Sequence, residues 1–349
     1  MTTTLQLPAS RVQDPNSAPP LRWGIMGPGR IATDFASSLK QHTQQQLTAV
    51  ASRNHARAED FAEQFGIGLT FDSYQALAAS PDVDVVYIAT PHPFHAECAR
   101  IALEHGKHVL IEKPFAVNAE EAQSIVELAR ERNLFAMEAM WARFTPAADV
   151  IRQILANGLL GEVQHVRADL GEHFDPVRNA RLFDPALGGG SLLDLGVYLI
   201  AYDAFLFGEP PLEVAAVGNR TDSGVSADVA MTLTHRTGTS QLFTTLDVRT
   251  PTAAFVKGST AMLEIHTPFY APTAISLRAN DASSEVRQDF SVQSQVDGLC
   301  FEAAEVARCI TAGLTESPHH TLDGTVETLR VLDRAESLIP AVGVALNSV

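Results

Sequence analysis

The chain has 349 residues, 46% apolar and 19% charged, with a net charge of −16. That length exceeds one simple core and suits two domains, and the composition is that of a globular protein. So acidic a chain lacks the basic footprint that phosphate backbones require and is repelled by anionic lipid, which argues against nucleic acid or a membrane surface as partner.

Residues 1–20 are rich in Thr, Gln, Ser and Pro, without the basic start and apolar run of a signal peptide, and are expected to form a disordered tail. No stretch is expected to reach the ~18 apolar residues of a membrane span. Cys98, Cys300 and Cys309 include no C-x-x-C; they read as buried thiols in a reducing, cytoplasmic compartment rather than as a disulfide framework. From Leu21 the chain alternates. Strand-like runs at Leu21–Met26, Leu47–Ala51, Val83–Ala89, His108–Ile111 and Leu134–Met137 are separated by helical patterns. These lie over residues 31–40, Ala56–Phe65 (closed by Gly66), His95–His105 (stopped by Gly106) and Ala119–Arg132, with Asn118 as N-cap. Such alternation predicts βαβ units and a doubly wound parallel sheet, an α/β dinucleotide domain over 21–143.

The rhythm then changes. Val150–Leu155 reads as helix, Val163–Leu170 as strand and Ser191–Phe207 as a long apolar helix. Short β-type runs follow at Leu212–Val217, Ala227–Thr234, Gln241–Val248 and Thr260–His266, then helices near Gly298–Ala312 and Gly324–Leu338. The expectation is one α+β domain over 144–349 with a mixed, mostly antiparallel open sheet, serving substrate binding and oligomerisation. His319-His320 is expected to be a solvent-facing loop pair.

Gly27-Pro28-Gly29-Arg30-Ile31-Ala32 matches G-x-G-x-x-A between a predicted strand and a predicted helix, the context in which the pattern signals a dinucleotide. Gly27 permits the tight turn, and Gly29 lets the backbone approach a pyrophosphate. The helix beginning at Arg30 and Ile31 then turns free N–H groups toward the phosphates. An NAD site places a carboxylate after the second strand. Here stand Ser52, Arg53 and, one helical turn on, Arg57, which suit a 2′-phosphate; NADP is the expected cofactor.

Two further segments follow strands of the parallel sheet, Thr90-Pro91-His92-Pro93-Phe94-His95 and Glu112-Lys113-Pro114, where open α/β sheets bind their ligands. His92 and His95 lie three apart, but no third ligand cluster accompanies them, and no metal is expected. A third segment, Gly188-Gly189-Gly190 through Asp194 to Tyr198, puts a carboxylate and a phenol four residues apart on one face of an apolar helix. A Lys113 ammonium near Tyr198 would favour the phenolate and make it a usable base.

The glycine turn, Glu112-Lys113-Pro114 and the Gly188–Tyr198 block together resemble the Gfo/Idh/MocA oxidoreductases, over about Leu21 to Glu336. The runs Met137–Phe144 and Arg181–Gly190 are similar to its dimeric dihydrodiol dehydrogenase and NADP-dependent D-xylose dehydrogenase branch. The resemblance implies that Lys113 lies near the nicotinamide and the reacting hydroxyl, and that Thr90, Pro91, His92, His95 and Glu112 lie along the cofactor. It also implies that Asp194 matches the aspartate of a D-x-G-x-H motif whose histidine is replaced here by Tyr198 as acid/base, as in that branch. Trp141, Arg143, Phe144 and Arg181 are the expected substrate contacts. The implied activity is hydride transfer between NADP(H) and a hydroxyl carbon: aldose to lactone first, trans-dihydrodiol oxidation or dicarbonyl or keto-sugar reduction as alternatives. The implied assembly is a homodimer through the second domain's sheet. A non-catalytic NADP sensor and an NAD-dependent glycosidase are weaker readings, opposed respectively by the intact Lys113–Asp194–Tyr198 set and by Arg53.

Overall fold

The structure, a computed structural model, describes residues 5–271, 273–291 and 295–340. In chain order its first half carries β1 (Arg22–Met26), α1 (Arg30–His42), β2 (Gln46–Ala51), α2 (His55–Phe65), β3 (Leu69–Phe71), α3 (Tyr74–Ala79), β4 (Val85–Ile88), α4 (His95–Glu104), β5 (His108–Glu112), α5 (Ala119–Arg132) and β6 (Ala136–Ala139). There follow α6 (Pro146–Ala156), β7 (Val163–Gly171), α7 (Val197–Phe207), β8 (Glu213–Arg220), β9 (Ser226–Thr234), β10 (Thr239–Thr245), β11 (Ala254–Gly258), β12 (Ala261–Ile265), β13 (Ala274–Ala279), β14 (Glu285–Asp289), α8 (Leu299–Thr311) and α9 (Leu322–Leu338).

Contacts sort the chain into two units. One holds Val12–Thr145 and the described part of 293–326. Its six strands run parallel in the order β3-β2-β1-β4-β5-β6. The order reverses between β1 and β4, so the ligand crevice of this sheet lies at their carboxyl ends. The strands bury on both faces, as covered parallel strands must: β4 is Val-Val-Tyr-Ile with every residue buried. Local signals act as read. The Asn118 side chain accepts the Glu121 N–H at 2.8 Å to cap α5, and Gly66 ends α2 at φ 69°. Strand β3 has three residues and α3 has six, too short for a periodic pattern to announce them.

The expected domain boundary needs correction. Residues 295–326 do not stay with the second domain; they return to the first. Helix α8 packs on α1, and the Thr315 carbonyl then accepts the Ala136 N–H at 3.1 Å, covering the open edge of β6. The expected tail is corrected as well. Over the described residues 5–20, the Arg11 guanidinium pairs with buried Asp149 at 2.7 Å, residues 15–17 make a helical turn, and Ala18 packs on Ala304 and Ala307. No hydrophobic period marks these contacts in the sequence. Residues 1–4 and 341–349 lie outside the described residues.

The second unit is built on an eight-stranded sheet, β14-β13-β12-β11-β7-β10-β9-β8. Only β7 and β10 pair in parallel; the other neighbours are antiparallel, as the mixed pattern predicts. Strand β14, Glu-Val-Arg-Gln-Asp, carries one apolar residue and lies at the sheet edge, which is why composition hid it. Helix α7 packs on β7 and β10. The segment Pro185–Phe207 has the length and mean hydropathy (1.4) to cross a membrane, contrary to the expectation that none would. But 83% of its most apolar 18 residues are buried within the protein, as in a core helix.

A buried polar clamp fixes α7 to the sheet. Asp203 accepts from His235 Nε2 at 2.9 Å and from the Ser240 hydroxyl, and all three side chains are buried. Removing the shared acceptor would leave two buried groups without it, so Asp203→Ala should lower unfolding stability by roughly 3 kcal/mol. Denaturant unfolding measures this; an unchanged midpoint would contradict the clamp.

Candidate active site

The first unit presents the glycine turn between β1 and α1. Gly27 sits at φ 89°, and a Cβ there would lie 2.9 Å from the Ala89 carbonyl oxygen, so no other residue fits. Gly29 differs. Its φ of −97° suits any residue, and a Cβ built on it meets nothing within 4 Å. Neither the backbone nor the packing of this chain requires glycine at 29. The space lies beside the N-terminus of α1, which has no side-chain cap and no acidic residue in its first turn. An uncapped helix N-terminus with open space at its flank fits a pyrophosphate. Arg30 is exposed there and Ile31 half-buried.

At the end of β2, Ser52 is buried and its hydroxyl accepts the Asn54 N–H at 3.2 Å. Exposed Arg53 lies over the Phe94 ring, 4.7 Å from its centroid, which joins the β2 loop to the β4 loop by a cation–π contact. Arg57 is exposed one turn on. Burial raises the Tyr74 phenol's pKa, and Arg53 and Arg57 both act on it in the opposite sense. Arg53 and Arg57 stand at the end of β2 and in the first turn of α2, the corner where a ribose 2′-substituent is read in this fold.

The loops after β4 and β5 rest on buried polar side chains. His95 is fully buried; its Nδ1 lies 2.9 Å from the Pro114 carbonyl oxygen and its Nε2 2.8 Å from that of Thr90. Carbonyl oxygens only accept, so both contacts are satisfied together when both nitrogens donate. His95, expected along the cofactor, instead ties the two loops to each other. His92, also buried, meets it edge-on at 5.7 Å, and buried Thr90 donates toward Cys98 sulfur. Burial pushes the three thiols up to about 12, which keeps them inert.

Glu112 likewise turns inward. One oxygen takes the Tyr87 hydroxyl and the other the Lys113 N–H at 3.2 Å; burial lifts its pKa to about 7. Lys113 begins the loop, with a cis bond to Pro114. Beneath it Glu138, 1% exposed, accepts the Phe115 N–H at 3.0 Å and pairs with His320 Nε2 at 2.8 Å. His320 is therefore not solvent-facing: it is buried, and burial lowers its pKa, while its neighbour His319 is exposed. Glu302 is fully buried, and its oxygens have no hydrogen-bond partner among the described residues; burial, then Glu112 and Glu138, raise its pKa well above the usual carboxyl value. Sequence reasoning assigned no role to Tyr87, Glu138 or Glu302 and misread His320 as solvated. A glutamate inside the apolar strand Ala-Met-Glu-Ala and another on the apolar face of α8 were the available signals. Trp141 and Phe144 are buried, and Arg143 donates to the His319 carbonyl at 2.9 Å.

The second unit carries the other block. Gly190 stands at φ 113°, and a Cβ on Gly189 would lie 2.5 Å from the Leu182 carbonyl oxygen, so the glycine run folds the chain tightly into the next helix. That helix opens with a π turn over Leu192–Gly196, a wide turn frequent at functional sites. Asp194 lies in the π turn and accepts from the Arg181 guanidinium at 3.0 Å; Tyr198 lies in the first turn of α7. The Arg181 side chain is 39% exposed and that of Asp194 12%. The Tyr198 ring is buried, 5.0 Å from that of Tyr270. The structure thus pairs two predicted residues, Arg181 and Asp194, that the sequence placed in different roles.

A parallel sheet with strand order 3-2-1-4-5-6, a glycine turn and an uncapped helix define a dinucleotide-binding domain. Residues 21–140 match the model described as "Oxidoreductase family, NAD-binding Rossmann fold", and residues 149–264 match the GFO/IDH/MocA C-terminal domain. The chain belongs to the Gfo/Idh/MocA family of oxidoreductases. It is 36% identical over 332 residues to trans-1,2-dihydrobenzene-1,2-diol dehydrogenase of Bos taurus, covering 93% of this chain and 97% of that one. Among solved structures it is similar to an aldose-aldose oxidoreductase from Caulobacter crescentus (TM-score 0.80, 25% identity, 91% and 98% covered). A 3-ketoreductase from Actinomadura kijaniata, in complex with NADP and TDP-benzene, matches with TM-score 0.80 and 28% identity over 92% and 98% of the two chains.

Gly29→Ala should melt like the wild type yet bind NADPH at least ~10-fold more weakly, whereas Gly27→Ala should lower Tm by several degrees; NADPH fluorescence titration and thermal melting distinguish them. Glu112 has a folded pKa of about 7 against ~4.3 unfolded. Its protonated form favours the folded state; that contribution is complete below the unfolded value and is lost as pH rises through 7. Glu112→Gln should therefore gain on wild type by about 3 kcal/mol between pH 4 and pH 8. Parallel urea-unfolding curves at the two pH values would refute this.

Proposed function

We propose that this protein is an NADP-dependent dehydrogenase acting on one hydroxyl carbon of a cyclic vicinal diol, either a sugar ring of the D-xylose type or a trans-dihydrodiol. The observation that carries the cofactor choice is the end of β2, where Arg53 is held over Phe94 and residues 52–54 contain no carboxylate. A guanidinium there matches a 2′-phosphate and leaves a free 2′-hydroxyl without its acceptor. The NADP complex of the similar 3-ketoreductase supports the same reading. The bound nicotinamide would accept the hydride. This chain's own groups must take the hydroxyl proton as the hydride leaves, and Tyr198 assisted by Lys113 is the proposed acid/base set. Arg181 and Asp194 supply a charged pair suited to a second hydroxyl: the guanidinium donates and the carboxylate accepts. The vicinal-diol class rests on that pair and on the relatives, a diol dehydrogenase and an aldose-aldose oxidoreductase.

The outward side of the second unit's sheet, where Val217 is 61% exposed and Phe243 36%, is the proposed dimer surface. Sedimentation equilibrium should return a dimer; a monomer at micromolar concentration would refute it.

Absorbance at 340 nm with purified protein tests the activity, using NADP and NAD against D-xylose, D-glucose and a trans-cyclic vicinal diol. A rise with NADP and one of these substrates is expected. Arg53→Glu should reduce the preference for NADP over NAD by ~10-fold or more. Tyr198→Phe should cut kcat ~10²-fold with NADPH binding retained. Unchanged kcat, or lost cofactor binding in that variant, would sink the assignment of Tyr198.

A further inference from the structure

The loop that begins at Lys113 is anchored by a residue two hundred positions later in the chain. Each oxygen of the Glu138 carboxylate has one donor: Oε1 takes the Phe115 N–H at 3.0 Å, and Oε2 takes His320 Nε2 at 2.8 Å. Glu138 is 1% exposed and His320 5%, so neither contact competes with water. Glu138 stands on β6, where it pairs in register with Ile111 of β5, the strand that delivers Lys113. His320 arrives on the returning segment, which is itself fastened to this region. Thr315 O accepts from Ala136, Arg130 pairs with Asp323 at 2.8 Å, and Arg143 donates to the His319 carbonyl. Thr325 Oγ1 lies 3.3 Å from the same His320 nitrogen.

Phe115 is fully buried, and its N–H lies two residues from Lys113. A carboxylate that may rotate freely can accept that N–H in many orientations. One whose second oxygen is held by a rigid imidazole donor accepts it in one. Donor, carboxylate and loop thus form a chain of fixed contacts ending at the Phe115 backbone, two residues from Lys113.

We propose that His320 and Glu138 are positioning residues for Lys113, holding its loop through the Phe115 N–H so that the ammonium stays fixed toward the cofactor. The proposal rests on Lys113 acting in the reaction, as read above, but its first test needs no turnover.

The chain has four lysines, Lys40, Lys107, Lys113 and Lys257. Reductive ¹³C-methylation of the whole protein keeps their charge and gives one resolved dimethylamine signal each, with Lys113 assigned through Lys113→Arg. In His320→Leu the Lys113 signal should shift or broaden, while Lys40 and Lys257 stay in place. His320→Gln, which keeps a side-chain N–H donor, should restore the Lys113 signal most of the way. Should His320→Leu fail to fold, Glu138→Gln keeps the acceptor for Phe115 and offers a second variant in which the same signal must move. An unmoved Lys113 signal in a folded variant would overturn the proposal, as would a change spread equally over all four lysines.

Where wild-type turnover is measurable, His320→Leu should lower kcat ~10-fold or more with KM for NADP nearly unchanged. The isotope effect with substrate deuterated at the carbinol carbon should rise, since the hydride step becomes slower relative to product release. A lowered Tm with kcat per folded molecule and isotope effect unaltered would mark a merely structural pair. Absence of turnover in the wild type would refute the proposed function without touching the NMR result.

Discussion

The first unit depends on the close approach of two backbones. Strands β1 and β4 are neighbours, and the turn leaving β1 passes so near the Ala89 carbonyl that any Cβ at residue 27 would collide with it. That approach allows the chain to turn at once into α1 and aim the N-terminus of the helix along the crevice. The loops after β2, β4 and β5 are then arranged around this one direction. Arg53 on Phe94, and His95 between Thr90 and Pro114, are the ties that keep those loops in register with it.

Much of the polar interior of this unit serves the same end. Glu112, Glu138 and Glu302 are three buried carboxyls where an apolar core would be cheaper to fold. Two of them hold the backbone on either side of Lys113-Pro114. Burial that raises the Glu112 and Glu302 pKa values shows that the chain tolerates a cost here. Costs of this sort concentrate where geometry must be fixed for function. In the second unit the Asp203 clamp anchors α7, the helix whose first turn carries Tyr198, and the π turn before it places Asp194 against Arg181.

The architecture was legible because its signals are local. Near-continuous apolar strands, glycine stops and an asparagine cap specify parallel βαβ units, and alternation specifies the later antiparallel strands. The glycine turn was legible from its pattern between a strand and a helix, although the backbone that makes Gly27 obligatory, the Ala89 carbonyl, comes from a strand far along the chain. The return of residues 295–326 to the first unit was not legible. Nothing in an amphipathic helix says which of two apolar surfaces it will cover. His320 was misread on similar grounds: a polar pair in a loop looks solvated until a carboxylate from residue 138 is placed against it. His95 and Glu112 were read for the cofactor alone, and their ties to the loop backbones were missed, because a motif identifies a position without saying which way its side chain turns.

The proposed reaction moves a hydride between a hydroxyl carbon and NADP. The most direct measurement uses a substrate deuterated at the reacting carbinol carbon, D-xylose deuterated at C1 or the corresponding diol, with NADP in ordinary water. Proton NMR of the NADPH formed would then be read at C4. The account predicts one deuterium at C4 on a single face of the ring, with none lost to solvent. Unlabelled NADPH, or product that keeps its deuterium while NADP is unchanged, would contradict it.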